Sequence, residues 1–294
     1  MPKIGLVTVL YKCDNVLEGF FKSLSKQTFK DYELYIIDNS ASIATDRILE
    51  KLSNEFILPA ITHIKNTENF GVAKGNNQGI ELALNDNCDF VLLLNNDIEF
   101  DDHLLIERMI VHALKNNELI IIPKIFYFDT RTIWMAGGKL LKSKAIVEHV
   151  GVDEQDGPKF NKVQYFDYAP TCFMLLGRRV FDEVGLMDER YFVYYDDTDF
   201  ILRAVNAGFK ILYLPNLEIF HKVSSSTGGG VSLFSIYYLN RNRIYFIMKN
   251  FTFPVRQIAL LYTFFTRFLV YVKYDRKERK ELLRSLRDGF KLSK

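Results

Sequence analysis

Asp97 closes the run Leu92-Leu93-Leu94-Asn95-Asn96-Asp97-Ile98, an apolar strand-like stretch that stops on a polar cluster ending in a carboxylate. Buried strands of open α/β sheets end where ligands bind. A carboxylate at such an edge can hold Mg²⁺ or Mn²⁺ against a diphosphate, because hard cations prefer oxygen ligands. An Asx turn after a strand uses the same residue types. A second cluster, in the stretch Tyr194 to Asp199, crowds Asp196, Asp197 and Asp199 into four positions. Such carboxylates repel unless solvent, a cation or a proton relieves them, and a raised pKa on one of them suits a general base. An acidic helix start, with Asp196 as cap and Asp197 and Asp199 favoured by the helix dipole, fits the spacing too and is compatible with that role.

The elements that position these clusters are legible from periodicity. Ile4 to Leu10, Tyr32 to Ile37 and Ile61 to Ile64 are short apolar, β-branched runs, and each leads into a polar cluster, respectively near Thr8 and Tyr11, at Asp38-Asn39-Ser40 and at Asn66 to Gly71. Helix-period stretches, Asn15 to Lys26, Ala44 to Asn54 and Val72 to Leu84, lie between them. The first hundred residues therefore alternate strand and helix, which predicts a parallel sheet with right-handed crossovers and all four polar clusters on its carboxyl edge.

With these segments in order, the chain resembles an inverting glycosyltransferase of family 2 with the GT-A fold, and more narrowly its rhamnosyltransferase-like branch. The resemblance rests on Val7 to Tyr11, Ile36 to Ser40, Asn69 to Asn77, Leu94 to Asp97, Tyr194 to Asp199, and Leu212 to Pro215 followed by His221, spanning residues 4 to 245. It implies an α/β fold with a Rossmann-like, mostly parallel central sheet flanked by helices. It divides the chain into a GT-A domain over 1–230, whose nucleotide-binding half is 1–100 and acceptor half 101–230, and a helical, basic appendage over 231–294.

The resemblance also implies roles. Thr8 and Asp38 contact the nucleotide base and ribose, Asn69 and Lys74 lie near the ribose or diphosphate, and Tyr11, Asn95 and Asn96 complete the donor set. Asp97 is the last position of a metal motif whose first position is Asn95 here, a departure from a strict DxD. His221 is a second ligand for Mn²⁺ or Mg²⁺, although a partly buried histidine between Phe220 and Lys222 needs no metal to explain it. Asp197 is the base that deprotonates the acceptor hydroxyl, and Asp196 orients it or binds the acceptor. Trp134, near Gly137-Gly138, matches an acceptor-side segment loosely and suits a core or hairpin position as well. The reaction implied moves a sugar from a UDP- or dTDP-sugar, dTDP-rhamnose among them, to a hydroxyl of a saccharide or lipid-linked saccharide in cell-surface polysaccharide synthesis. A sugar nucleotidyltransferase is the rival enzyme, but Tyr11-Lys12-Cys13-Asp14 stands where its Gly-rich basic loop belongs. A non-catalytic saccharide- or nucleotide-binding module is the rival of another class. No nucleic-acid motif or zinc spacing is present.

The rest of the chain agrees with a cytoplasmic enzyme. Met1-Pro2-Lys3 runs into the first strand without room for a signal peptide, and Cys13, Cys88 and Cys172 read as thiols of a reducing compartment with no catalytic role. Residues 123–170 suggest a hairpin insertion on the acceptor side, with an acidic turn at Asp153 to Pro158. Ser224 to Gly230 is a linker or a loop that orders over the diphosphate. Residues 273–294 carry nine Lys/Arg and four Asp/Glu, whereas the remainder is slightly acidic. Just before them, Tyr237 to Met248 and Ile258 to Val272 read as amphipathic helices on an anionic membrane surface at the inner face of the cytoplasmic membrane. A helical subdomain packed on the core, or a homodimer contact, is the other reading of these segments.

Overall fold

The computed structural model describes residues 2–222 and 232–293, so Ser224 to Gly230 lies outside the described residues. The first half alternates as expected: β1 (Ile4–Leu10), α1 (Leu17–Ser25), β2 (Tyr32–Asp38), α2 (Ile43–Glu55), β3 (Ile61–Lys65), α3 (Gly71–Asn85) and β4 (Phe90–Leu94). Then come β5 (Ile98–Glu99), α4 (Leu105–Asn116), β6 (Ile120–Tyr127), β7 (Ile133–Met135), β8 (Gly138–Leu141), β9 (Ile146–His149), β10 (Gln164–Phe166) and β11 (Phe173–Gly177). The chain continues with α5 (Arg178–Val184), α6 (Asp196–Asn206), β12 (Ile211–His221), α7 (Leu233–Asn250), α8 (Val255–Lys273) and α9 (Arg276–Leu292).

Among the described residues one mixed sheet runs in the order β10-β12-β6-β11-β4-β1-β2-β3, with β5 on β12 and β7 on β6. The pairs β1–β2, β1–β4 and β2–β3 are parallel, so the ends of these strands share one edge. Burial on both faces explains why β1 and β4 read as continuous apolar runs rather than alternating ones. The helices cover those faces: α1 buries Leu17, Phe20, Phe21 and Leu24, the spacing of one helical stripe. Helix α3 lies so close to β1 that a Cβ at Gly79 would sit 2.3 Å from a methyl of Val7. A side chain there would push the helix off the sheet.

Two further strands of this sheet matter for the site. Strand β11 is antiparallel to both β4 and β6, so its beginning, not its end, reaches the carboxyl edge. Strand β12 is parallel to β6 with an irregularity between Leu214 and Glu218, next to Pro215, and its last residue pairs with Ile98 of β5. Proline cannot donate to a ladder, and the bulge accommodates it. The hairpin expected in the middle of the chain is β8–β9.

The acidic turn is anchored by a residue that composition does not flag. Lys124 on β6 is fully buried, with Nζ 2.8 Å from Asp156, a further short bond to Asn161, and Glu218 at 3.8 Å. Buried charge is tolerated only when paired, and here the turn folds back to pair it.

Helix α7 corrects one expectation. Its Tyr245, Phe246 and Ile247 belong to the main core, and Asn242 and Ile244 are fully buried, so Tyr237 to Met248 packs on that core instead of lying on a bilayer. An apolar helical stripe is the same whether protein or lipid covers it; here protein does. Helix α8 is different, and most of its apolar side chains are exposed.

Removing the turn's carboxylate should be costly. Asp156→Ala is expected to lower unfolding free energy by about 1.5–3 kcal/mol, the range for hydrogen bonds to charged groups, since Asp156 is itself about a third exposed. Lys124→Met, which removes the charge as well, should cost less. Chemical denaturation of the two variants checks the order.

Candidate active site

The carboxyl edge opens into a cleft of about 510 Å³, and six of the expected residues line it: Tyr11, Asn69, Asn95, Asn96, Asp97 and His221. The asparagines are fastened to backbone. Asn96 Nδ2 donates to the Val9 carbonyl at 2.7 Å, tying the end of β4 to β1, and Asn69 Oδ1 accepts from the Gly71 N–H at 2.9 Å, shaping the turn into α3. Lys74 is half-buried with its ammonium 4.2 Å from the centre of the Phe70 ring, beside the cleft lining.

Asp38, the last residue of β2, and Thr8 on β1 are fully buried. Asp38 Oδ1 accepts from the Ser40 N–H at 2.7 Å, whereas its Oδ2 and the Thr8 hydroxyl have no hydrogen-bond partner among the described residues. Buried polar atoms rarely stay unsatisfied, and a bound ligand is one reason for them to do so. Burial raises the Asp38 pKa, but the nearby His63 and the hydrogen bonding of Ser40 outweigh it, and the group titrates below the usual carboxylate value. Ligand atoms of Asp38, Asp46 and His63 also lie within 4.8 Å of one another, a spacing open to a metal ion. Asp46, however, is already ion-paired with Lys65, and His63 Nε2 stands 3.8 Å from Asp38.

The second cluster joins β4 to β12. His221 Nε2 is 3.1 Å from Asp97 Oδ1, both side chains are about nine-tenths buried, and the Asp97 carbonyl accepts from Lys222 N–H at 2.9 Å. His221 and Trp134 also meet edge to face with ring centres 4.6 Å apart, and Trp134 meets His149 in the same way at 4.6 Å. Trp134 is thus a wall of the site. Burial holds the His149 imidazole below its ordinary pKa, and the neighbouring His221 adds to this despite a hydrogen bond to the Trp134 backbone. His149 stacks in turn near Tyr168, with centres 6.2 Å apart.

Tyr168 leads to the acidic loop, because its hydroxyl donates to Asp197 Oδ2 at 3.0 Å. Asp197 Oδ1 accepts from the Thr198 N–H at 2.6 Å and its hydroxyl at 3.1 Å. Asp196 is only 5% exposed, while Asp197 is partly open. Burial pushes both pKa values up, and the charge of Asp197 adds to the shift at Asp196. Asp199 is set apart: fully buried, it is held by Tyr191 at 3.0 Å, Arg203 at 3.0 Å, Lys249 at 2.8 Å and Asn250 at 2.8 Å. Of the three crowded carboxylates, one is therefore neutralised by cations and two are left to share the site. Cys172, buried between the clusters, feels the charges of both Asp97 and Asp197.

Asp196 does not cap α6; it is the first helical residue, and Tyr195 precedes it at φ 67°. Phe192 and Tyr194 also adopt positive φ, 65° and 64°. Such backbone is costly for large side chains and persists only where the surroundings impose it. Asn242 of α7 imposes it: its Nδ2 lies 2.9, 2.7 and 2.9 Å from the carbonyls of Tyr191, Val193 and Tyr194. From the other side the Phe192 carbonyl accepts from Val72 N–H at 2.6 Å, beneath Gly71 at φ 85°, where a Cβ would come within 2.4 Å of that oxygen. Asn242, Tyr168 and His149 escape sequence reading. An asparagine between two arginines looks like a solvated face, and Tyr168 and His149 stand in no recognisable motif.

Residues 6–185 match the family Glycosyl transferase family 2. Among characterised proteins the chain is 24% identical over 267 residues to the low-salt glycan biosynthesis hexosyltransferase Agl10 of Haloferax volcanii, covering 90% of this chain and 80% of that one. It is 24% identical over 189 residues to the dTDP-rhamnosyl transferase RfbF of Shigella flexneri, covering 62% and 61%. Among solved structures, residues 1–349 of S. aureus TarS with UDP-GlcNAc superpose with a TM-score of 0.65 at 14% identity, over 99% of this chain and 82% of that one. The mannosyltransferase PcManGT of Pyrobaculum calidifontis with GDP-Man and Mn²⁺ gives 0.60 at 10% identity, over 99% and 87%. With this sheet, this cleft and a family match over more than half its length, the chain belongs to glycosyltransferase family 2 and has the GT-A fold.

Proposed function

We propose that this enzyme transfers a sugar from a nucleoside diphosphate sugar to a saccharide or lipid-linked saccharide hydroxyl by a single metal-assisted displacement with inversion. The observation that carries this reading is the convergence of the Asp97–His221 pair and the Asp197 carboxylate around one row of rings, Trp134, His149 and Tyr168. The likeness to a dTDP-rhamnosyl transferase and a hexosyltransferase favours a dTDP- or UDP-hexose or deoxyhexose donor.

Asp38 and Thr8 would receive the base, since the open Asp38 oxygen can accept from an imide N–H. Asp97 and His221 suit a divalent ion. Their facing atoms are 3.1 Å apart, the separation of neighbouring ligands on one ion with bonds of about 2.0–2.2 Å. Bound there, Mn²⁺ or Mg²⁺ would supply Lewis-acid stabilisation of the departing diphosphate. We favour this pair over Asp38, Asp46 and His63 because Lys65 already neutralises Asp46.

Asp197 would accept the acceptor's proton. It is the more open of the two carboxylates, and its raised pKa strengthens it as a base while the Tyr168 hydroxyl orients it. Burial keeps that pKa high, and Asp196 would help to frame the acceptor. The pair has a thermodynamic cost. Groups whose folded pKa exceeds the unfolded value favour the fold at low pH, and that contribution disappears as pH rises through the folded value.

Assay against a panel of sugar nucleotides, with the anomeric configuration of the product read by NMR, tests the reaction itself; retention would overturn it. Chelation by EDTA and Asp97→Asn should each abolish turnover, and His221→Ala should raise the Mn²⁺ concentration needed for half-activity. Full activity in chelator excludes the metal.

For the base, Asp197→Asn should lower kcat by about 10²–10⁴-fold with donor affinity nearly unchanged. The wild-type rate should fall as pH drops through a pKa above the ordinary carboxylate range. Asp196→Asn should reduce rate less and raise the melting temperature at neutral pH, because burial favours the protonated Asp196 carboxyl in the fold whereas the unfolded chain ionises it there.

Loosening the loop separates positioning from chemistry. Asn242→Ala should cut kcat on the order of 10–100-fold while donor binding by calorimetry stays within about twofold. Tyr168→Phe should shift the acid limb of the pH profile, a change that a purely structural tyrosine would not cause.

A further inference from the structure

Helix α8 is built inside out. The side facing the protein carries Ala259 and Thr263, both fully buried, and the partly buried Thr266 and Arg267, whose guanidinium donates to Asn240 of α7 at 3.3 Å. The side facing outward carries Ile258, Leu261, Phe265, Phe268 and Val272, between 49 and 71% exposed, with Phe264 and Leu269 beside them. These positions recur every three or four residues, so they form one continuous stripe along the helix. A groove of about 240 Å³ between α8 and α9 widens the stripe through Phe268, Leu282, Leu283 and Leu286. A stripe of this kind is too large and too regular to be scattered surface hydrophobicity, and it marks a surface made to be covered.

We propose that this stripe docks on the face of an anionic lipid bilayer, with α8 lying in the plane of one leaflet. Charge selects that occupant. Residues 273–294 are net +5 whereas the rest of the chain is net −3, and exposed Lys280, Arg284, Arg287 and Lys291 follow one another along α9 at spacings of four, three and four. A self-complementary contact through α8 would bring two tails of like charge together. An anionic headgroup layer meets both the apolar stripe and the basic rim. Helix α8 is long and apolar enough to span a bilayer, yet crossing would expose Arg267, Thr263 and Thr266 to lipid and pull the helix from α7. Lying flat keeps those contacts. The inference stands independently of the donor, metal and base assigned above.

Flotation of the full chain with phosphatidylcholine vesicles, with and without phosphatidylglycerol, tests it. Binding should be stronger by at least about tenfold with the anionic lipid and should weaken as salt rises. The triple variant Leu261→Ser, Phe265→Ser, Phe268→Ser should lose binding while keeping its circular dichroism spectrum and its activity on a soluble acceptor. The charge variant Lys280→Glu, Arg287→Glu should lose the preference for anionic lipid. Absence of binding to either vesicle, or equal binding to both, overturns the proposal. So does a wild-type dimer in sedimentation equilibrium that the triple serine variant dissociates, since the stripe would then belong to a second copy.

Discussion

The acidic loop before α6 exists in its form because one amide saturates it. Three large residues within four positions, Phe192, Tyr194 and Tyr195, hold positive φ, a conformation that an isolated peptide would leave at once. Asn242 supplies hydrogen bonds to three carbonyls of that stretch, and Lys249 reaches both Asp188 and Asp199 at 2.8 Å. The strain is therefore held by α7, and its result is a helix that begins on two adjacent carboxylates, the second of them bonded to the Tyr168 hydroxyl. If Asp197 is the base, its orientation is decided by a helix whose first turn, through Phe234, also lines the cleft.

The rest of the site follows from strand direction. The parallel strands bring Thr8, Asp38 and Asp97 to one edge, as a Rossmann-like half must. Strand β12 is parallel to β6 and so runs the same way as β4; past its bulge it extends until His221 pairs with Ile98 beside Asp97. Strand β11 runs backwards, so that the Cys172 carbonyl at its start meets the Asn95 N–H. Strands of both directions thus bring residues to one edge.

These physical facts explain what sequence could and could not reveal. Strands β1 to β4 and their helices were readable because burial on one or two faces imposes periods that survive in composition. Asp38, Asp97, Asp197 and His221 stood out through motif and resemblance. Asn242, Tyr168 and Lys124 act through partners 29 or more residues away and His149 through rings 15 and 19 residues away, and nothing in their neighbours encodes those distances. Helices α7 and α8 show a sharper limit. Both carry apolar stripes, but the stripe of α7 meets the core and that of α8 faces outward, and periodicity has no sign to tell the two apart.

The tether between α7 and the acidic loop also sets a sequence of events in synthesis. Strands β1 to β4 can pair among themselves as soon as they leave the ribosome, whereas the loop's carbonyls wait for an asparagine 48 residues further on and Asp188 for a lysine 61 residues further. Contacts that close late are entropically expensive and form after local ones. A nascent or truncated chain ending before α7 would hold a nearly complete parallel half and an unrestrained acidic loop. The arrangement makes α7 a checkpoint: the groups that would act on an acceptor cannot take up their places until that helix has been made.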